Sequence, residues 1–206
     1  MSQVIDGNNM NLLRFYFMIG GRGFDAESYM EAACANGFAG EVSYIKNPTL
    51  TTRDVNNKIV ESKFSPNMPG TKGDGYRVWR STIEDYAKDE IYFLEKNNLH
   101  WAIGPIEEQK NENFAMILFL ERLKNNLPLA SDYCVDEYFI LFKIIYGYLD
   151  DEVRVFPGFS RELIKILGEL GAGLETDCES VEVHFSRLAG AGRGGFKSEV
   201  QHPADQ

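Results

Sequence analysis

Apolar residues recur along this chain with two different periods, and the clearest record of both is the stretch from Val153 to Glu179, VRVFPGFSRELIKILGELGAGLETDCE. Pro157 and Gly158 break whatever precedes them, and Ser160 can cap a helix that begins at Arg161. Phe159 and Ile164 stand at the N′ and N4 positions of a hydrophobic staple. Leu163, Ile166, Leu167 and Leu170 recur at i, i+3, i+4 and i+7, so the helix has one stripe to bury, and Gly171 supplies the left-handed residue that ends it. Leu174, Thr176 and Cys178 then alternate with Glu175, Asp177 and Glu179, a strand with one face to the core and an acidic face to water. Val181, Val183 and Phe185 resume the alternation one step out of phase, which predicts a bulge or turn near Glu179 and Ser180.

The same patterns organise the rest. Leu12 to Ile19 reads as a buried strand ended by Gly20, Gly21 and Gly23; Asp25 caps a helix with Phe24 and Tyr29 at staple positions and Gly37 at its stop, and Phe38 to Ile45 is a second strand. From Lys46 to Gly75 the pattern dissolves, with a short strand possible only at Lys58 to Phe64; so long a connection is either functional or mobile. Tyr76 to Trp79 returns to strand character. Ser81 and Glu84 have capping-box spacing before a helix, Gly104-Pro105 interrupts, and Phe114 to Leu127 is a buried helix by its Ala, Met and Leu content. Tyr138 to Tyr148, YFILFKIIYGY, is apolar on both faces and is the central strand.

These elements predict an α/β (α+β) domain: a ferredoxin-like β-α-β plan, an antiparallel or mixed sheet, and helices at 25–36, 82–97, 114–127 and 161–170 on one face. One domain over 1–187, with an irregular insertion at 46–75, leaves a flexible Gly-rich tail at 188–206.

Composition changes this picture in one respect. Apolar content of 44% and charged content of 25% are those of an ordinary folded domain, but 31 acidic against 21 basic residues give a net charge of −10. Between Ser131 and Glu182 there are 12 acidic and four basic residues, so the acidity is concentrated. Such a surface either keeps the protein soluble or steers a basic partner, and it has the wrong sign for nucleic acid. No apolar run reaches the roughly 18 residues of a membrane span, and the start MSQVIDGNNMNLL lacks a signal-peptide pattern; a cytoplasmic location is expected. Cys34, Cys134 and Cys178, odd in number and far apart, read as reduced, buried thiols.

Chemical motifs are sparse. Gly20-Gly21-Arg22-Gly23 is placed where backbone amides cradle phosphates, but it lacks a P-loop Lys-Ser/Thr, and Asp25 would sit where the anion should; a tight strand-to-helix turn fits it better. His100, His184 and His202 show no metal-ligand spacing, and no cofactor is implied. Asp150, Asp151 and Glu152 are the densest carboxylate cluster, read as a solvated turn, then as a partner contact, then as a metal site. Trp79, between Arg77 and Arg80, is either a core residue or an interface anchor.

The opening strand ending in IGGRGFD, the dipeptide Gly73-Asp74 shortly before Trp79, and the ending FSRELIKILGELGAGLETD resemble a bacterial family described as domain of unknown function 4279, over about Leu12 to Glu179. The resemblance implies a mixed α/β domain and no transferable catalytic residue. By analogy with small acidic bacterial proteins, the expected function is that of a non-enzymatic immunity protein. It would neutralise a cognate toxin, or bind another basic protein, through an acidic surface made of Asp150, Asp151, Glu152, Glu175, Asp177 and Glu179. The rival readings are a small-molecule sensor or weakly signalled enzyme with a pocket near Arg22, Trp79 and His100, and a subunit of a homo-oligomer.

Overall fold

Two eleven-residue strands, each apolar on both sides, form the middle of the sheet, because only a strand covered on both faces can bury such runs. The computed structural model describes residues 11–53, 56–87, 105–148 and 158–191. Its elements are β1 (Asn11–Gly21), α1 (Ala26–Ala35), β2 (Gly40–Lys46), β3 (Thr49–Arg53), β4 (Ile59–Lys63), β5 (Gly75–Ser81), β6 (Glu84–Asp85), α2 (Pro105–Asn126), a 3-10 turn (Ala130–Tyr133), β7 (Tyr138–Tyr148), α3 (Arg161–Glu169), β8 (Gly173–Ser180) and α4 (Val181–Ala191).

The main sheet runs β2-β5-β1-β7-β8, with β6 pairing to β1 beyond the end of β5. Every neighbouring pair is antiparallel except β7 and β8. The passage β1-α1-β2 therefore skips one strand position, which β5 fills, and α2 leads to β7 on the other side of β1. That is the ferredoxin-like plan expected from the element order, in a mixed sheet that α3 extends by the parallel strand β8. Tyr138–Tyr148 is internal as expected, although β1 holds the middle place.

One face carries Leu12, Phe15, Phe17, Ile19, Trp79, Phe142, Ile144 and Tyr146. Against it pack Tyr29 and Ala33 of α1, Met116, Leu120 and Leu123 of α2, and Leu163, Ile166 and Leu167 of α3. Each fully buried Leu or Ile of α3 contributes about 1.5–3 kcal/mol of transfer free energy. The ends of α1 and α3 form as their residues dictate. Asp25 Oδ1 accepts the Ser28 N–H (3.1 Å), Ser160 Oγ accepts the Leu163 N–H (3.1 Å), and Gly37 and Gly171 take φ of +83° and +63°. The Phe24 and Tyr29 rings meet at 5.3 Å as a staple requires, whereas Ile164 stays exposed while Phe159 packs on the core.

Several expectations need correction. Residues 82–87 are not the first turn of a helix: Ser81 Oγ accepts the Phe17 N–H (3.0 Å) instead of capping, and Glu84 and Asp85 pair with β1 as β6; positions 88–97 lie outside the described residues. Helix α2 begins at Pro105, nine residues before Phe114, since proline is tolerated in a first turn. The segment at 46–75 is not irregular throughout: the short strand allowed at Lys58 to Phe64 is present as β4, and it forms a hairpin with β3, which was not expected. A loop then follows that Asn47 secures, donating through Nδ2 to the carbonyls of Thr71 (2.5 Å) and Gly73 (3.1 Å). Val181 to Phe185 is helix, not strand, because Val181, His184, Phe185 and Leu188 bury at helical spacing while Val183 stays exposed. That helix also takes residues 188–191 from the expected tail. The three thiols are free, but Cys34 is exposed and Cys134 and Cys178 are half-buried.

Candidate interaction surface

Among the described residues, apolar side chains pack at both ends of the sheet face opposite α1, α2 and α3. At one end Leu13 and Ala87 pack with Val181, Phe185 and Leu188 of α4; at the other, Met68 of the insertion loop packs on Tyr76, Val78, Phe139 and Leu141. Between them the register brings charged side chains into a row. Arg80 pairs with Glu41 and lies over the Tyr16 ring at 5.2 Å. Tyr16 is opposite Lys143, and Lys143 opposite Glu175.

Lys143 organises two of the expected partner-binding carboxylates. Its Nζ lies 2.7 Å from Glu175 Oε1 and 3.6 Å from Asp177 Oδ2. Burial opposes the ammonium charge, but the Glu175 hydrogen bond and the nearby Tyr16, Glu175 and Asp177 outweigh it, so the lysine titrates above its ordinary range. The side chains of Glu175 and Asp177 nonetheless stay 45% and 60% exposed.

Glu179 behaves differently. Its carboxylate lies 2.7 Å from Arg14 Nη2, with side chains only 17% and 12% exposed, an ion pair without a well-directed hydrogen bond. Arg14 Nε and Nη1 are buried and meet no acceptor. Burial, then the neighbouring Arg187, lower the Arg14 pKa against the pull of Glu179 and Asp85. Arg187 in turn pairs with Asp85 at 2.5 Å and reaches His184 Nδ1 at 3.4 Å, while His184 Nε2 lies 2.8 Å from the Ala87 carbonyl. The Ala87 carbonyl only accepts, which puts a proton on Nε2, and the Arg187 guanidinium only donates, which leaves the Nδ1 lone pair free to accept; His184 is therefore neutral, and burial holds its pKa below the ordinary value. These charges fasten α4 and the end of β8 to the sheet.

Of the six predicted contact residues, then, Glu175 and Asp177 share one lysine on the face opposite α1, α2 and α3, Glu179 is tied down beside them, and Asp150, Asp151 and Glu152 lie outside the described residues. Trp79 is fully buried against Tyr29 (ring centroids 5.2 Å), with Gly40 above its indole nitrogen, and so lines no solvent-reachable pocket. Arg22 is exposed, and His100 lies outside the described residues. Sequence reasoning passed over Arg14 and Lys143. Both were signalled as lone cations inside otherwise apolar strands, where a buried charge needs a partner. Among the described residues no group of three or more His, Cys, Asp or Glu side chains is placed to hold a metal ion, and no helix is long and apolar enough to cross a membrane. Comparison with protein-family models, curated proteins and solved structures found no match to this chain.

Proposed function

We propose that this chain is a non-enzymatic, cytoplasmic binding protein, most concretely an immunity protein that neutralises a cognate toxin by covering one of its surfaces. The observation that carries the reading is the pair Glu175 and Asp177 on the edge strand β8. Both carboxylates are oriented by Lys143 yet stay about half-exposed, so they have oxygens left for a partner's arginine or lysine. Orientation in advance lowers the ordering entropy that binding must overcome. The net charge of −10 supplies long-range steering, which speeds encounter with a basic partner more than it deepens final affinity. Asp150, Asp151 and Glu152 are proposed as further contact residues; Glu179 is not, since its carboxylate is paired with Arg14. A small-molecule role has less support, because Trp79 is sealed in the core.

The test is co-expression with a toxin encoded by a gene adjacent to its own. Wild type should rescue growth and retain the toxin on a tagged chain. Retention should fall as salt rises toward about 1 M, where the Debye length is about 3 Å. Glu175→Lys with Asp177→Lys should slow association, and reversal at Asp150, Asp151 and Glu152 should add to it. Retention indifferent to salt and to every reversal removes the acidic surface from the account; failure to rescue growth removes the immunity role.

A further inference from the structure

The hairpin β3–β4 is unlike the rest of the molecule. All ten of its strand residues are exposed, on both faces, and they include Leu50, Ile59 and Val60, with Phe64 just beyond. A two-stranded hairpin is marginal in water by itself, and its free edge is a template for another strand. The hydrogen-bond phase shows which groups that edge offers. The Phe64 N–H donates to the Pro48 carbonyl (2.8 Å), and the register pairs Ser62 with Leu50 and Val60 with Thr52. Phe64, Ser62 and Val60 therefore spend their backbone groups on the β3 side, while Ile59, Glu61 and Lys63 direct theirs outward. Among the described residues no strand pairs with that outer edge.

We propose that the outer edge of β4 is a self-association site, where β4 pairs antiparallel with β4 of a second copy about a two-fold axis at Ser62. In this register Glu61 lies opposite Lys63 of the second copy, and the reverse, so two opposite-charge pairs form, with each Lys63 shared between that glutamate and Asp74 of its own chain. Glu61 and Lys63 are also the residues whose backbone groups point outward, so each pair exchanges both of its main-chain hydrogen bonds. Val60 lies opposite Phe64, on the face that already carries Leu50, and the joined four-stranded sheet has a continuous apolar side. Centring the axis on Glu61 or on Lys63 would oppose like charges, and centring it on Val60 would set Ile59 against Glu61. The self-complementary charges select a second copy as the occupant. The hairpin adds nothing to the repulsion between two molecules of charge −10, because Arg53, Lys58 and Lys63 balance Asp54, Glu61 and Asp74 there, Asp74 being paired with Lys63. Strands of five residues bury less than the roughly 1,200–2,000 Å² of a stable interface, so the association is weak and reversible. It stands or falls independently of toxin binding.

Sedimentation equilibrium of the full chain over a concentration series reads the proposal directly, and wild type is expected to dimerise as concentration rises. Glu61→Lys should weaken the dimer roughly tenfold, as two attractive pairs become repulsive, and Glu61→Lys with Lys63→Glu should restore it. Lys63→Pro removes an outward-pointing amide together with the lysine's charge and its Asp74 pair, leaves the hydrogen bonds between β3 and β4 in place, and should abolish dimerisation. In a Cys34→Ser background, Ser62→Cys should form an intermolecular disulfide under mild oxidation, because opposed residues at that non-hydrogen-bonded position lie about 4.5 Å apart at Cα. Thr52→Cys, on the inner strand, should not. A wild type that stays monomeric at the highest concentration reached overturns the proposal. So does a dimer that ignores Glu61→Lys and is not captured through Ser62→Cys.

Discussion

Replacing Glu179 by Gln separates the two kinds of carboxylate on β8. In the native protein the Glu179 and Arg14 side chains are 17% and 12% exposed and 2.7 Å apart, and neither Nε nor Nη1 of Arg14 meets another acceptor. Removing the charge strands a guanidinium already disfavoured by burial and by Arg187. Breaking a fully buried pair costs about 3–5 kcal/mol. Here the contact is poorly directed, Asp85 still attracts Arg14, and glutamine keeps an oxygen in place, so we expect a loss of about 1.5–3 kcal/mol. With a urea m-value of about 2 kcal/mol/M, the midpoint should fall by roughly 1 M at unchanged m. Asp177→Asn is the control: at 60% exposure and 3.6 Å from Lys143, it should stay within about 0.5 kcal/mol of wild type. Arg14→Met with Glu179→Leu removes both charges together and should recover most of the stability, to within about 1 kcal/mol. A Glu179→Gln protein as stable as wild type would refute the structural assignment and return Glu179 to the partner surface.

Two further outcomes follow from buried groups elsewhere. His184 is held below its unfolded pKa of 6.5 chiefly by burial, with Arg187 and Arg14 acting in the same direction against Ala87 O and Asp85. The unfolded chain therefore takes up this proton first, and the stability tied to neutral His184, full above 6.5, is lost as pH falls through the folded value. Thermal melts between about pH 7.5 and 5.5 should show this slope, and His184→Gln, which cannot titrate, should flatten it; an equal slope in the variant counts against His184. The depressed pKa values of Asp25 and Glu169 also make stability fall with acid, but in a separate window below their unfolded 3.8 and 4.5. Gly70 has φ of +70°, and a Cβ there would run into the Glu137 carbonyl, with the Gly21 Cα 3.1 Å away. Gly70→Ala should cost about 1–3 kcal/mol and raise amide exchange over residues 64–74 first; unchanged exchange there would show that Gly70 does not hold the loop.

Local patterning made most of the fold legible. Where a cap, an apolar stripe and a stop glycine agreed, as from Ser160 to Gly171, the helix forms within a residue of expectation, and Tyr138–Tyr148, apolar but for Lys143, is a strand at those very limits. The failures share a physical cause: two patterns competed, and tertiary contacts chose. Val181, Val183 and Phe185 alternate as a strand would, yet Val181, His184, Phe185 and Leu188 also fit a helix, and the apolar patch around Leu13 rewards the second period. Ser81 and Glu84 have capping-box spacing, but the amide of Phe17, one strand away, takes the Ser81 hydroxyl. The hairpin was half legible: β4 lies within the short strand allowed at Lys58 to Phe64, whereas Thr49–Arg53, with both faces in water, carries no burial period and is marked only by β propensity.

For the surface, counting charges was a poor guide to which charges are free. The acidic alternation of Glu175, Asp177 and Glu179 was plain in the sequence, but β8 lies beside β7, and that placement sets Lys143 against the first two. The bulge in β1 between Leu12 and Arg14 leaves Arg14 on the same face as Lys143, where it reaches Glu179. Long-range steering is indifferent to this pairing, since the molecule's net charge is unchanged and the field beyond about one Debye length, roughly 8 Å in physiological salt, responds to the sum. Contact is not indifferent. Any cation from outside would meet Glu175 and Asp177 only in competition with Lys143, and could take Glu179 only by stranding Arg14. The same acidic count thus divides into a field that all 31 carboxylates share and a contact available to those that keep exposed oxygens, of which β8 supplies two.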